Sequence, residues 1–201
     1  MNEKFFDLNS EKQDRMINAS LHHFAVNGYK HASTDEIIKE AGISKGLLFH
    51  YFGSKQGLYE FLLDYSVRYL LFEYNRVIED ETEYFAFHEK LETAKLGVLR
   101  NYPYMYGFIN RATKETQLSI LDASKEALNK YTETMQNYKN KLVLPNLKFG
   151  VDMTHVENLI AFTIKGLTDS GLDSDTPDAD LIHSQVSEYI GIIKHLTVAN
   201  E

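Results

Sequence analysis

The feature that most constrains this chain is a dense series of helix starts and stops in its first third. Ser33, with Glu36 three residues later, forms a capping box that opens a short helix carrying Ile37, Ile38 and Ala41, and Gly42 ends it. Ser44 opens a second short helix, expected over 45–52. Gly53 closes that one, and Ser54 caps a long helix running through Leu58, Phe61, Leu62, Tyr65, Leu70 and Tyr74. Two short helices joined by a Gly-centred turn make a helix-turn-helix, whose second helix enters a DNA major groove.

The same helical grammar extends in both directions. Ser10 and Gln13 read as a capping box before a stripe of Met16, Ile17, Ala19, Leu21, Phe24 and Ala25 that ends at Gly28. Further helices are expected at about 83–101, just after Pro103, at roughly 116–139, at about 153–170 and from Pro177 to about 198, with both prolines in first-turn positions. Segments 142–150 and 169–178 read as loops. With only three prolines and little strand-type alternation, the expected fold class is all-α.

Composition narrows the function classes. No run of about 18 apolar residues could span a bilayer, and the N-terminus lacks the basic start and apolar middle of a signal peptide, so a cytoplasmic protein without membrane partners is expected. The absence of cysteine excludes thiol nucleophiles and thiolate metal sites. The net charge of −8 is unevenly placed: residues 1–55 hold seven basic and seven acidic side chains, so the whole deficit lies beyond them. A neutral head with clustered lysines can face DNA while an acidic body avoids nonspecific contact.

The helix at 45–52 has a face that folding does not need. At about 100° per residue Leu48 and Phe52 point together toward the preceding helices, Gly46 and His50 look directly away, and Leu47 and Phe49 lie to either side. Exposed apolar groups beside a glycine suit the major groove, where thymine offers a methyl group and Gly46 lets the backbone approach closely. Thr34, Ser44, Tyr51 and Lys55 stand at helix starts or flanks, where hydroxyls and ammonium groups meet phosphates. The competing reading packs Leu47 and Phe49 against the long fourth helix.

The run STDEIIKEAGISKGLLFHYFGSKQGL, preceded by FAVNGY, resembles the DNA-binding domain of the TetR family of bacterial transcriptional regulators across residues 10–58. The resemblance implies phosphate contacts from Thr34, Ser44, Tyr51 and Lys55, and places Lys45, Leu47, Phe49 and His50 at or near base edges. Leu47 stands where the family often has Thr and Phe49 where it often has Tyr, which removes two hydroxyls and shifts weight to methyl contacts. The resemblance also implies a division into a DNA-binding domain at 1–55 and a helical ligand-binding and dimerisation domain at 56–201. In the latter, two C-terminal helices from each subunit form a four-helix bundle; the stripes Val156, Leu159, Ile160, Thr163, Leu167 and Ile182, Val186, Tyr189, Ile193, Leu196 are of the right kind, although an intrachain core would use the same pattern.

Aromatic residues are dense over 84–108, a pattern that serves either a core or a pocket wall. The resemblance implies a pocket there, expected to use Phe87, Tyr102, Met105, Tyr106 and Phe108 with Tyr131, Met135 and Phe162. Metal chemistry is not expected: His22 and His23 are adjacent and splay apart on a helix, His88 beside Glu89 has no histidine at helical spacing, and His155, two residues from Met153 and beside Glu157, lacks ligand spacing. No phosphate loop, serine-nucleophile motif or HExxH element occurs, so no cofactor and no enzyme activity are expected. The expected function is a ligand-responsive transcriptional regulator, a homodimeric repressor released from a pseudo-palindromic double-stranded DNA operator by a small apolar or aromatic effector. The alternatives are an activator of the same fold and a helical interaction protein without DNA binding.

Overall fold

A computed structural model describes residues 3–115, 118–172 and 178–199. These residues are helical, with no sheet and only two isolated β-bridges. After a 3₁₀ turn at Glu3–Asp7 the helices are α1 (Ser10–His31), α2 (Thr34–Ala41), α3 (Lys45–Phe52), α4 (Lys55–Ile78), α5 (Tyr84–Asn101), α6 (Met105–Ala112), α7 (Leu118–Lys139), α8 (Met153–Leu172) and α9 (Ala179–Thr197). No helix of the described residues is long and apolar enough to cross a membrane. The chain packs as two compact units, one of residues 1–72 and 101–135, the other of 73–100 and 136–201.

The first unit holds the short helices. Eight residues are too few for an isolated helix, since about 12–15 are marginal in water, so α2 and α3 depend on caps and packing. Ser33 accepts from the Glu36 N–H at 3.4 Å and Ser44 from the Leu47 N–H at 3.2 Å. Gly42 ends α2 in the left-handed conformation, φ 63° and ψ 42°, which a side chain would disfavour. Ser54 accepts from the Gly57 N–H at 3.0 Å and so opens α4. Gly57 is required there for another reason: a Cβ on it would lie 2.1 Å from the Phe52 carbonyl oxygen, tighter than any real contact.

Beneath these helices lie Ile37, Leu48, Leu58 and Leu62, with Phe24 and Tyr59 in edge contact at 5.0 Å between ring centroids. Phe5 is fully buried against Phe52 and Phe61, at 5.3 and 5.0 Å, and so fastens the N-terminal turn to the end of α3 and the start of α4.

Three details differ from the sequence expectation. The cap of α1 is Asn9, whose side chain accepts from the Lys12 N–H at 2.9 Å, while Gln13 donates to the carbonyls of Phe6 and Leu8 instead of completing a box with Ser10. Gly28, at φ 68° and ψ 173°, does break the helix, but a last turn resumes through His31. Pro103 precedes α6 instead of occupying its first turn: the Met105 N–H donates to the Tyr102 carbonyl at 3.0 Å, placing Pro103 at the second position of a turn, where its fixed φ fits equally well. Pro177 lies outside the described residues; the cap of α9 is Asp178, which accepts from Asp180 and Leu181.

The second unit is built on α5, α8 and α9. Its core contains Tyr84, Phe85, Val156, Ile160, Val186 and Ile190. The loop over 140–152 is held at both ends by backbone bonds, Val143 N–H to Thr82 O at 2.7 Å and Lys148 N–H to Thr197 O at 2.9 Å. Each of the last two helices carries two apolar stripes. One is buried and holds Val156, Ile160, Ile182, Val186 and Ile193. The other stays open to solvent: Leu159 and Phe162 on α8, and Tyr189, Ile192 and Leu196 on α9. The stripes read from the sequence therefore mix the two, with Val156, Ile160, Ile182, Val186 and Ile193 in the intrachain core and Leu159, Tyr189 and Leu196 outside it. Periodicity identifies apolar faces without saying which neighbour each meets.

Candidate nucleic-acid interface

Helix α3 is closed at both ends by its own sequence, with Ser44 at its start and the Gly53 N–H donating to the Phe49 carbonyl at 2.9 Å at its end. It is roughly 12 Å long. Leu48 is completely buried and Phe52 nearly so, which anchors the helix and leaves Gly46 and His50 exposed on the opposite side. Leu47 and Phe49 are half-buried on the flanks. The helix thus presents a small, mostly uncharged face with one imidazole, bordered by two apolar side chains that the core does not absorb.

Cations stand at both ends of this face. Lys45 begins α3, and its Nζ lies 2.9 Å from Asp35 Oδ1 of α2. Both side chains are well exposed, so the pair contributes little to stability and its lysine can exchange to another anion at small cost. Lys55 begins α4, with its Nζ 4.9 Å from the centre of the Tyr29 ring and 3.4 Å from the Lys30 carbonyl oxygen, to which it donates. Partial burial lowers its pKa from the ordinary lysine value. Tyr51 rests on Phe5 at 5.9 Å and on His50 at 5.1 Å, both edge-on. Thr34 is the first residue of α2, directly after its cap, and Ser44 is exposed.

All nine expected DNA-contact residues, Thr34, Ser44, Lys45, Gly46, Leu47, Phe49, His50, Tyr51 and Lys55, therefore fall on α2, α3 and their immediate ends. Sequence reasoning missed three supports of this site: Tyr29 beneath Lys55, Phe5 beneath Tyr51, and Gly57 where α4 leaves α3. Only Gly57 lies in the helix-turn-helix stretch, and its signal is a glycine in the first turn of a long helix.

The eight expected ligand residues divide between the units. Tyr102, Met105, Tyr106, Phe108, Tyr131 and Met135 belong to the first, Phe87 and Phe162 to the second. Met105 and Phe108 are fully buried, with Phe108 packed on Tyr59 at 5.1 Å, and Phe87 is buried in its own unit. The Tyr102 hydroxyl is already engaged, donating to Asp14 at 3.0 Å and lying 2.8 Å from the Tyr65 hydroxyl. Phe162 is 71% exposed. Among the described residues of the first unit, an open cleft of about 510 Å³ is bordered by Tyr51, Phe61, Asp64, Arg68 and Lys130, and another of about 560 Å³ by Asn27, Tyr29, Asn110 and Arg111. None of the eight lines either cleft.

Adjacency on one helix does not keep His22 and His23 apart. Glu40 of α2 reaches the space between them and meets both imidazoles, so His22, His23 and Glu40 bring their ligand atoms within 4.8 Å of one another.

Residues 16–62 match the model for bacterial regulatory proteins of the tetR family. The chain is 28% identical over 131 residues to the fatty acid metabolism regulator protein of Bacillus subtilis, an alignment covering 65% of this chain and 64% of the relative. It spans less than two thirds of the length of the curated relatives it matches. Its fold is similar to that of the ketosteroid transcriptional regulator KstR2 of Mycobacterium tuberculosis, with a TM-score of 0.67 and 17% identity over 96% of this chain and 97% of that one. The transcriptional regulator FadR from Bacillus subtilis, solved in complex with stearoyl-CoA, aligns at a TM-score of 0.53 and 18% identity over 88% and 96% of the two chains. Residues 16–62, on α1 to α4, thus carry the DNA-binding segment of the tetR family of bacterial regulatory proteins, and the fold along nearly the whole length is shared with solved transcriptional regulators.

Proposed function

We propose that this protein is a homodimeric repressor that binds a pseudo-palindromic operator through α3 and releases it when a small, largely apolar effector binds. In this reading residues 1–55 are the DNA-binding head, and 56–201 carry effector binding and dimerisation. The observation that carries it is the face of α3: Gly46 and His50 outward, Leu47 and Phe49 half-buried beside them, and Lys45 and Lys55 at the two ends. Gly46 admits the base-pair floor, Leu47 and Phe49 offer surface to thymine methyls, and His50 offers a hydrogen-bonding edge. Thr34, Ser44, Tyr51, Lys55 and the N-termini of α2 and α3 fix the register on phosphates.

One short helix reads too few base pairs for useful specificity, which favours two copies about a two-fold axis with recognition helices roughly 34–36 Å apart or a multiple of one DNA turn. The open stripe of Leu159, Phe162, Tyr189, Ile192 and Leu196 is the surface such a partner copy would cover, with α8 and α9 of each copy forming a four-helix bundle. The name of the fatty acid regulator and the stearoyl-CoA of its solved counterpart favour an effector with a long acyl chain over a compact aromatic one. Such an effector acts by binding more tightly to the state with misplaced heads, and DNA then lowers effector affinity by the same factor.

Selection of bound DNA from a random pool with purified protein tests this reading. An enriched inverted repeat supports it; a pool without any enriched sequence contradicts it. Titration of the selected duplex with a series of acyl-CoA and aromatic compounds then tests the effector, and a series in which no compound lowers DNA affinity contradicts ligand release.

A further inference from the structure

The geometry points to a binding site for a first-row divalent cation, of the zinc class, formed by His22 and His23 of α1 and Glu40 of α2. This site lies in the first unit and does not depend on the DNA-binding reading. His22 Nδ1 lies 2.9 Å from Glu40 Oε2 and 3.1 Å from Oε1, and His23 Nε2 lies 2.9 Å from the same Oε2. Adjacent residues on a helix diverge by about 100°, yet the rings sit only 5.0 Å apart, because one offers its δ and the other its ε nitrogen to a carboxylate between them.

A carboxylate accepts only, so each of these ring nitrogens carries a proton in the metal-free protein. A cation takes the place of both protons. In a tetrahedral site with bonds of about 2.0–2.1 Å, ligand atoms lie about 3.3 Å apart. The two 2.9 Å contacts must open by about 0.4 Å, and the nitrogens, within 4.8 Å of each other, must close by about 1.5 Å at most. Changes of that size lie within the side-chain torsions of partly exposed residues.

Two neighbours prepare the site. Tyr104 stacks on the His22 ring at 4.5 Å and fixes its plane. Glu36 Oε2 lies 3.7 Å from His23 Nδ1, so a small side-chain rotation lets it accept a hydrogen bond from the Nδ1–H that remains when Nε2 binds metal, the arrangement that orients a metal-bound imidazole. Glu36 is therefore a positioning residue and not a ligand. Glu40, 42% exposed, leaves a path for the ion and room for a water in the fourth position. Two imidazoles with one carboxylate suit Zn²⁺, Co²⁺ or Ni²⁺ far better than Mg²⁺ or Ca²⁺, which require oxygen ligands. A bound ion would tie α1 to α2, the first helix of the helix-turn-helix.

The test is calorimetric titration of untagged, chelator-treated full-length protein with ZnCl₂. One ion per chain with micromolar or tighter affinity is expected. At a free concentration a hundred times the dissociation constant the thermal midpoint should rise by about 5–10 °C. The double substitution His22→Gln with His23→Gln should abolish binding, Glu36→Gln should weaken it about 10- to 100-fold, and His155→Gln should leave it unchanged. Glu40→Gln, a near-isosteric change on an exposed side chain, should abolish binding as well and decides the matter should the double variant fail to fold. Absence of binding at micromolar Zn²⁺, binding undiminished in Glu40→Gln, or Mg²⁺ matching Zn²⁺ would overturn the site.

Discussion

Ile192 and Ile193 are neighbours on α9 with opposite surroundings, and their substitution separates fold from assembly. Ile193 is 7% exposed and belongs to the core of the second unit, whereas Ile192 is 44% exposed on the open stripe. Ile193→Ala creates a cavity and should cost about 2–5 kcal/mol of stability. Ile192→Ala should cost the monomer less, because 44% of that residue's surface is already open to solvent. A partner copy would cover the remaining 44% of its surface, which, at about 2 kcal/mol for a whole buried isoleucine, contributes about 0.9 kcal/mol. A two-fold interface counts each residue twice, so the dimer should weaken by about 1.8 kcal/mol, or roughly 20-fold in dissociation constant. Sedimentation equilibrium measures that change, and urea unfolding at fixed protein concentration measures the other. Were Ile192→Ala to leave the dimer constant untouched, or Ile193→Ala to weaken assembly without loss of stability, the assignment of the two stripes would be refuted.

Ser44→Ala removes the acceptor for the Leu47 N–H and should destabilise α3 by about 1 kcal/mol, read as a lower urea midpoint. Gly57→Ala drives a methyl against the Phe52 carbonyl, and the displaced α3 should bind the selected operator at least tenfold more weakly, by fluorescence anisotropy. Lys55→Ala should reduce the slope of log affinity against log salt by about one unit per subunit without changing the preferred sequence. His88 is pushed down to about 4, first by burial and then by Lys95 and Lys139. Its folded pKa lies below the ordinary 6.5, so the stability it contributes is complete above that value and is lost as pH falls from 6.5 toward 4, by about 3 kcal/mol in all. His88→Gln should flatten the fall in unfolding free energy across that window, measured by urea titration at several pH values.

The helix-turn-helix was legible because its information is local. Ser33, Gly42, Ser44, Gly53 and Ser54 each act within a few residues of themselves, and the burial of Leu48 and Phe52 follows from the helical period alone. What depended on distant approach was not legible. Phe5 reads as part of a polar N-terminus until Phe52 and Phe61 close over it, and Tyr29 reveals its role only when Lys55, far along the chain, lies on its ring. The approach of His22 to His23 is invisible to the period of one helix, because it depends on Glu40, a carboxylate from another. In the C-terminal helices the difficulty was of another kind, since Ile192 and Ile193 are equally apolar and only the packed α8 shows which is inside.

The central claim is that α3 reads base pairs. Repeating the selection of DNA from a random pool with Phe49→Ala and with His50→Ala, beside the wild type, tests it most directly. Phe49 is half-buried and His50 exposed, so neither change should unfold the helix that Leu48 and Phe52 anchor. The account predicts that each variant still enriches an inverted repeat but relaxes or changes the preferred base at one symmetric pair of positions. An unchanged consensus from both variants, with undiminished affinity, would contradict it.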